Sequence, residues 1–277
     1  MEAKYRKRCE KVVKSMIVKD ITDVIEAFAP LALQEGYDNA GLIVGRPEDE
    51  VQGVLLAVDV TEEVLDEALS TGCNMVVTHH PIIFHPLKRL NSASYVERCV
   101  ERAVRSGIAL YACHTNLDSA PQGMSWRLGS MLGVEGLSLL QPSGRGDGAG
   151  FGVVGELPQP MPATEFLRHI ARVTGADVIR YSDIVKEQVR RVAVCTGAGG
   201  SCMADAIRVG ADVYVTADLK YNDFMTPSGA LTVVDIGHFE SEYCAIEILF
   251  DVLSKKMLTF AVRRSEHSRN PINYFRG

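Results

Sequence analysis

The stretch that decides the fold is Asn74–Pro86, which reads Asn-Met-Val-Val-Thr-His-His-Pro-Ile-Ile-Phe-His-Pro. Its apolar and β-branched run Met75–Thr78 predicts a short buried strand. Pro81 stops the strand, because proline has no N–H to donate to a neighbouring strand. His79 and His80 are therefore expected where the strand opens into a loop.

Two adjacent histidines at the end of a strand are candidate metal ligands. In parallel α/β sheets, ligands bind in the crevice outside the carboxyl ends of the strands. Neutral imidazole is a strong ligand for zinc, iron, nickel and related metals. Taken alone, His79 and His80 fit equally well as polar residues that merely follow a strand. The rest of the chain has to decide between these interpretations.

The segments around this strand predict a parallel sheet. Val54–Asp59 is a second apolar strand, and Thr61 suits the N-cap of the acidic helix that follows it. Strand, helix and strand in succession form a βαβ unit, whose two strands run parallel. A helix at Ala93–Ser106 and a strand at Ile108–Cys113 continue the alternation. The sequence therefore predicts an α/β fold.

The second half of the chain repeats this pattern. Residues 72–78 (Gly-Cys-Asn-Met-Val-Val-Thr) align with residues 210–216 (Gly-Ala-Asp-Val-Tyr-Val-Thr) at an offset of 138 residues. At the same offset, the strand Val54–Val58 falls on Val192–Thr196, which also predicts a strand. We therefore predict an internal duplication that gives two related α/β lobes.

Changes in composition divide the chain into five segments. They are an N-terminal extension (residues 1–15), a first α/β lobe (16–140), a Gly/Ser/Pro-rich connection (141–150), a second α/β lobe (151–262) and a basic tail (263–277). Glycine, serine and proline in such density favour a mobile surface loop for the connection.

Metal-competent residues stand at the ends of three predicted strands. They are His79 and His80, His114 and Asp118, and His238 and Glu242. Histidine and carboxylate ligands suit Zn, Mn, Fe, Co or Ni without singling one out. Even three of these histidines with the two carboxylates exceed what one tetrahedral ion needs, and such a set suits two ions bridged by the carboxylates. A site that uses both lobes would lie in the cleft between them.

Two other motifs are weaker. Gly197–Ser201 follows a strand and opens a helix, so it could cradle a phosphate or form only a tight turn. It lacks both the dinucleotide-binding glycine spacing and the P-loop lysine. Cys113 stands beside His114 and could suggest a thiolate nucleophile, but its apolar strand favours a buried structural cysteine.

Composition narrows the class of protein. The chain has 277 residues, 47% hydrophobic and 23% charged, which is ordinary for a soluble globular protein. No apolar run approaches the roughly 18 residues of a membrane span. The net charge of −6, without a large basic block outside the termini, argues against a nucleic-acid partner. Seven scattered cysteines without a Cys-x-x-Cys pair fit a reducing compartment, so we expect a cytoplasmic protein.

Four segments together resemble the Nif-three-like family, whose members are often named GTP cyclohydrolase I type 2 or dinuclear metal centre proteins. The segments are Asp38–Gly45, Thr78–Phe84, Asn116–Asp118 and Gly237–Glu242. The resemblance extends over Met16–Phe260. It implies the short form of the family, because some members carry an extra domain between the lobes and this chain has only residues 142–148 there.

The resemblance also implies a site and an assembly. It implies two divalent metal ions per protomer in the cleft between the lobes, with Asp118 and Glu242 as bridges. The implied ligands are His79, His80, Asp118, His238 and Glu242. It further implies a toroidal homohexamer whose sites face the interior.

Three functions fit these patterns. The first is a metal-dependent hydrolase in which metal-activated water attacks a nucleotide or another small ring-containing or phosphorylated substrate. His114 could shuttle a proton there, or orient Asp118. The second is a non-catalytic metal-binding ring that serves as a scaffold or regulatory protein. A dinucleotide-binding oxidoreductase, the third, rests only on the glycine-rich loop.

Overall fold

The structure is a computed structural model that describes residues 15–145, 148–225, 227–258 and 260–275. It contains two β-sheets with helices packed against them. Residues 1–14 of the predicted N-terminal extension lie outside the described residues. Within the described ranges, no helix is both long and apolar enough to cross a membrane.

The helix predicted at Ala93–Ser106 is present from Tyr95 onward, whereas the sequence predicts no helix at Thr115–Ser119, where the structure has one. In chain order the helices are α1 (Val18–Phe28), α2 (Glu62–Ser70), α3 (Tyr95–Ser106), α4 (Thr115–Ser119), α5 (Met124–Met131), α6 (Ala163–Thr174), α7 (Met203–Arg208), α8 (His238–Glu242) and α9 (Cys244–Lys256). The predicted N-cap of α2 is confirmed, because Thr61 Oγ1 accepts a hydrogen bond from the Val64 N–H at 3.2 Å.

The strands are mostly short. They are β1 (Gly41–Val44), β2 (Val54–Ala57), β3 (Met75–Thr78), β4 (Ala109–Ala112), β5 (Glu135–Pro142), β6 (Gly150–Pro162), β7 (Arg180–Tyr181), β8 (Gln188–Val194), β9 (Val213–Thr216), β10 (Thr232–Asp235) and β11 (Val262–Arg264). The strand predicted at Met75–Thr78 is confirmed with the same bounds.

The first sheet has the strand order β1-β4-β3-β2-β11, and only the β1–β4 pair is antiparallel. Every residue of β2, β3 and β4 is buried, because helices cover both faces. One face packs on α1 and α9, and the other packs on α2 and α3. The predicted βαβ unit is therefore confirmed.

The second sheet has the order β5-β6-β8-β9-β10-β7, in which β8, β9 and β10 run parallel. Each sheet thus contains three consecutive parallel strands, β2-β3-β4 in the first and β8-β9-β10 in the second. The chain is a mixed α/β protein with two sheets. This topology is what an internal duplication would produce, and the duplication itself stays a prediction.

The segment predicted as a connection between lobes joins two strands of one sheet. β5 and β6 pair antiparallel, so the glycine-rich residues between Pro142 and Gly150 link the two arms of a hairpin. The chain therefore enters the second sheet before the predicted boundary at residue 140. Most of β5 is at least partly exposed, and Gly136 has a φ of +60°. Because of these features, β5 lacks the apolar periodicity that predicts a strand.

The end of the chain returns to the first sheet. The sequence assigns residues 151–262 to the second lobe and 263–277 to a basic tail, but α9 packs on α1 and β11 pairs with β2. Ser265 extends this contact, because its N–H donates to Leu56 O at 2.8 Å. Local patterns predict a helix or strand and do not reveal which sheet it will cover.

Strands of both sheets point their carboxyl ends at one cavity. β4 of the first sheet ends there, as do β8 and β10 of the second. A hydrogen bond from the Thr196 N–H to Ser125 Oγ, at 3.2 Å, ties the exit of β8 to α5 beside the cavity. Side chains from distant parts of the chain can therefore meet at this place.

Candidate metal centre

The side chains predicted to bind metal converge on the carboxylate of Glu242. His80 Nε2 and His238 Nε2 each lie 2.9 Å from Glu242 Oε2. His79 Nε2 lies 3.5 Å from Glu242 Oε1 and 3.8 Å from Asp118 Oδ1. The fold therefore brings together all five residues from three separate segments of the chain.

A bend after β3 turns the two adjacent histidines into the site. The N–H groups of His79 and His80 both donate to Val58 O, at 3.1 and 3.0 Å. Thr78 Oγ1 donates to His80 O across the same bend, at 2.8 Å. His79 is completely buried, whereas His80 is partly exposed.

The short helix α8 presents the third segment. His238 and Glu242 stand one turn apart on it, as their spacing predicts. The helix begins directly after Gly237, whose φ of +89° is a conformation that favours glycine. Asp235 Oδ1 accepts a hydrogen bond from the Gly237 N–H at 3.0 Å and fixes this turn at the end of β10.

In each of the four histidines of the site, Nδ1 forms a hydrogen bond with an oxygen atom. The pairs are His79 with Cys113 O (2.9 Å), His80 with Asp59 Oδ1 (2.8 Å), His114 with Asp38 Oδ1 (2.6 Å) and His238 with Asp218 Oδ2 (2.9 Å). These oxygens accept hydrogen bonds, so Nδ1 carries the hydrogen of a neutral ring. Nε2 then presents a bare lone pair, which is the usual arrangement in histidines that bind metals.

Bare lone pairs at such short separations repel one another unless a proton or a metal ion binds to at least one of them. His80 Nε2 and His238 Nε2 are only 3.2 Å apart. Among the described residues, His79 Nε2, Asp118 Oδ1 and Glu242 Oε2 are buried and lack a partner with hydrogen-bonding geometry. Leaving such atoms unsatisfied costs about 1–3 kcal/mol each, and a bound cation removes this cost. The donor set therefore fits a metal centre.

The shifted pKa values of the site residues indicate a negative electrostatic potential at the histidine Nε2 atoms. Burial lowers the pKa of His80, but Asp59 and Glu242 outweigh burial and raise it to about 10. Burial of His238 is likewise outweighed by Glu242 and Asp218, which raise its pKa to about 9. Burial alone would raise the pKa of Glu242, yet the surrounding histidines hold it well below its usual range. A positive charge is thus favoured at the Nε2 atoms.

His114 is held by a residue other than Asp118. The sequence suggests that His114 shuttles a proton or orients Asp118, and its hydrogen-bond partner in the structure is Asp38. Asp38 also accepts a hydrogen bond from the Thr115 N–H at 3.0 Å. Burial would raise the pKa of Asp38, but the hydrogen bonds from His114 and Thr115 lower it to about 2. The Asp38 carboxylate therefore stays ionised and fixes the His114 ring toward the site.

Three overlapping groups of side chains have ligand atoms within 4.8 Å of one another. They are His79, Asp118 and Glu242; His80, His238 and Glu242; and His79, His80 and His114. Glu242 belongs to two of these groups and Asp118 to one. Glu242 is therefore the carboxylate best placed to serve two ions.

A cavity of about 390 Å³ opens onto these ligands. One wall carries Tyr37, His114 and Asp118, and the opposite wall is the loop Gly197–Cys202. The loop is tightly held, because the Gly197 N–H donates to Ser241 Oγ at 2.9 Å. The glycine-rich motif thus forms a wall of the site, and its contact with phosphate stays a prediction.

The sequence analysis missed the aspartates that hold the histidine rings. Asp38 looks like an ordinary turn residue, Asp59 ends a predicted strand, and Asp218 aligns with His80 across the proposed duplication. The sequence does indicate that Asp59 and Asp218 lie near the site, because each follows a parallel strand at the sheet edge where the histidines lie.

We expect the substitution Asp218→Ala to weaken metal binding about 10- to 100-fold, because it removes the acceptor that fixes the His238 tautomer. Isothermal titration of the metal-free protein with Zn²⁺ or Mn²⁺ measures this change. The matched control is Asp183→Ala, which alters an exposed aspartate outside the cavity. Equal affinities in the two variants would contradict the assigned role of Asp218.

Comparison with known proteins places this chain in a family. A model of the family described as Duf34/NIF3 (NGG1p interacting factor 3) matches residues 16–271. This chain belongs to the Duf34/NIF3 family. The match includes all four segments on which the resemblance in sequence rests.

Curated relatives in the Duf34/NIF3 family match most of the chain. A protein of Clostridium perfringens named GTP cyclohydrolase 1 type 2 homolog is 35% identical over 230 residues, which cover 82% of this chain and 87% of that protein. A protein of the same name from Clostridium acetobutylicum is 32% identical and covers 88% of this chain and 90% of its own length.

Solved structures show the same fold. A Bacillus cereus protein related to NIF3 has a TM-score of 0.86 at 23% identity, covering 95% of this chain and 100% of its own. The Staphylococcus aureus hypothetical protein SA1388 has a TM-score of 0.86 at 26% identity and covers 94% and 100%. Reduced HcgD from Methanocaldococcus jannaschii has a TM-score of 0.75 at 26% identity and covers 91% and 98%.

Proposed function

We propose that this Duf34/NIF3 protein binds two divalent metal ions and hydrolyses a nucleotide or another small ring-containing or phosphorylated substrate. The observation that carries the proposal is the convergence of three histidine Nε2 atoms on the Glu242 carboxylate. Each ring is fixed from behind in the tautomer that exposes its lone pair. A purely structural cluster has no need of this arrangement.

The side-chain groups divide the ligands between two ions. His79 and Asp118 would hold one ion, and His80 and His238 would hold the other. Glu242 would bridge them, because its Oε1 faces His79 and its Oε2 faces the other pair. His and carboxylate donors of this kind suit Zn, Fe, Mn, Co or Ni. The proposed centre lies in the cleft between the two sheets.

A pair of ions in such a site lowers the pKa of bound water and polarises a substrate oxygen. The chain itself supplies His114, whose ring lines the cavity and is held by the ionised Asp38. Nδ1 donates to Asp38, so Nε2 is free to accept a proton from an attacking water or return it to a leaving group. We assign proton transfer to this pair.

The cavity limits the class of substrate. Its volume of about 390 Å³ lies at the lower end of the range for small-molecule sites. At its mouth, the Tyr37 ring lies 6.5 Å from that of Phe84, which in turn lies 6.1 Å from the His114 ring. Exposed aromatic faces next to a metal centre favour a planar ring as ligand. Relatives of this chain carry the name GTP cyclohydrolase 1 type 2 homolog, which points to the same class of substrate.

Metal analysis combined with a substrate screen tests the proposal. We expect about two ions per protomer in the wild-type protein and about one in Asp118→Ala, because Asp118 belongs to only one ligand group. Hydrolysis of GTP and a panel of other nucleotides should depend on metal and fall at least about 100-fold in the variant. The matched control is Asp251→Ala, which removes a half-exposed partner of Arg127.

The outcomes separate catalysis from metal binding alone. Two ions per protomer with no turnover across the whole panel would support the non-catalytic metal-binding alternative. Metal content far below one ion, unchanged in Asp118→Ala and not restored by added Mn, Zn or Fe, would refute the metal centre itself.

A further inference from the structure

Two cysteines lie side by side in the wall of the cavity. Cys195 directly follows β8, and Cys202 ends the turn Gly199–Cys202. Both line the cavity, although they are only 5% and 1% exposed. The loop between them carries three glycines, and it is the same loop that touches Glu242.

The two thiols interact directly with each other. The Cys195 thiol lowers the pKa of Cys202 by hydrogen bonding, against burial, which would raise it. The interaction correspondingly raises the pKa of Cys195 well above its usual value. Cys202 Sγ also lies 3.7 Å from Gln141 Oε1, and the Tyr214 hydroxyl lies beside both sulfurs. Cys202 is therefore the thiol that ionises first.

The other described cysteines do not line the cavity, whereas Cys195 and Cys202 line it even though they too belong to a buried apolar cluster. Cys99 and Cys244 are buried in apolar cores, where burial raises the pKa of the thiols to about 11 and about 12. Cys73 and Cys113 also belong to these cores and do not line the cavity. Thiols of this kind react slowly, because the thiolate is the nucleophile.

We propose that Cys195 and Cys202 form a redox-active dithiol, which hydrogen peroxide entering through the cavity oxidises reversibly to a disulfide. The proposal concerns the thiols alone and does not depend on the proposed hydrolase activity. It assigns a modification site to a wall of the cavity that the metal ligands do not occupy.

The reaction balances with one peroxide molecule. The Cys202 thiolate attacks a peroxide oxygen, the O–O bond breaks, and the departing hydroxide takes up a proton to become water. The sulfenic acid on Cys202 is then attacked by Cys195 sulfur, which loses its proton. The S–O bond breaks, a second water leaves and the S–S bond forms. Two thiols and hydrogen peroxide thus give a disulfide and two waters, and a dithiol reductant reverses the change.

Closing the disulfide would move the loop between the cysteines. Forming the bond brings the two sulfurs to about 2.05 Å, which draws the ends of the loop together. The hydrogen bonds that hold Gly197 to Ser241 and Gly199 to Thr216 would have to adjust. Because Gly197 lies against Glu242, closure of the disulfide should also disturb the carboxylate at the centre of the site.

Thiol counting and peptide mapping of the full-length protein test the proposal. The protein is reduced, exposed to hydrogen peroxide at about one equivalent per protomer, alkylated under denaturing conditions and digested. We expect free thiols to fall from seven to five per chain, with a cross-linked Cys195–Cys202 peptide that dithiothreitol releases. The variant Cys195→Ala should instead retain a sulfenic acid on Cys202, which dimedone captures.

Matched controls make the result specific. Cys99→Ala removes a cysteine from an apolar core and should leave formation of the cross-link unchanged. Oxidation of all cysteines at equal rates, or a Cys202 that is no more reactive than Cys99, would overturn the proposal. Metal content measured before and after oxidation reports the effect on Glu242. That consequence rests on the proposed metal centre, whereas the cross-linked peptide is detected by mass whether or not metal is bound.

Discussion

Replacing Glu242 with glutamine is expected to remove both metal ions and to abolish metal-dependent hydrolysis. The carboxylate is the one group that faces both sets of histidines, with Oε1 toward His79 and Oε2 toward His80 and His238. Glutamine keeps the size of the side chain but removes its negative charge. Three neutral imidazoles would then face two divalent cations with Asp118 as the sole anionic ligand of the five.

The loss of metal should exceed the loss caused by removing Asp118 or His238. Asp118 and His238 each belong to one ligand group, so their removal leaves the other group intact. For Glu242→Gln we expect metal content to fall from about two ions per protomer to below about 0.2, with affinity reduced at least about 1000-fold. Inductively coupled plasma mass spectrometry and titration calorimetry measure the two quantities.

A control substitution in the neighbouring helix tests whether the effect comes from losing any negative charge or from losing the Glu242 carboxylate. Glu247→Gln in α9 removes a partly exposed carboxylate that pairs with Arg264 on the surface. We expect this variant to retain both ions, because exposed ion pairs contribute little to stability. Full metal occupancy in Glu242→Gln would show that Glu242 is not a bridging ligand.

The substitution Gly197→Ala should disable the same site from the opposite wall of the cavity. A methyl group on Gly197 would overlap Glu242 Oε1 and lie 3.3 Å from the carboxylate carbon. Gly197 also has a φ of +62°, at which alanine is strained by about 1–2 kcal/mol. Glu242 is 3% exposed, and moving away from the methyl group would break its contacts with the histidines.

We expect Gly197→Ala to reduce metal affinity at least about 100-fold and to lower the melting temperature by several degrees. The matched control is Gly200→Ala, three residues along the same loop. A methyl group there meets no atom closer than 3.7 Å. Calorimetric titration and thermal denaturation of both variants measure the effects. Equal metal affinity in the two alanine variants would show that the loop does not constrain Glu242.

The sequence predicts much of the first sheet because its strands are short and mostly apolar, and residues that end a strand flank them. Met75–Thr78 is buried on both faces, and the polar residues begin directly after it. The clustering of the candidate ligands also follows from the sequence, since carboxyl ends of parallel strands lie at one edge. The four-residue spacing of His238 and Glu242 also predicts that their side chains share one face of a helix.

The remaining features depend on contacts that no local pattern reports. β5 is largely exposed and pairs only along one edge, so it lacks the apolar alternation of a strand. α9 is a predictable helix, but its position on α1 follows from complementary packing across more than 200 residues. The partners of the histidine Nδ1 atoms are equally non-local, since Asp38 lies 76 residues from His114.

The oxygens behind the histidines differ in a way that makes the centre asymmetric. His80 and His238 donate to carboxylates, whereas His79 donates to the neutral carbonyl of Cys113. An imidazole backed by an anion is the more basic ligand and gives more electron density to a metal. The two positions are therefore electronically distinct within one protomer. In the proposed two-ion centre, we therefore expect the two positions to differ in affinity, so that titration with metal fills them in two steps.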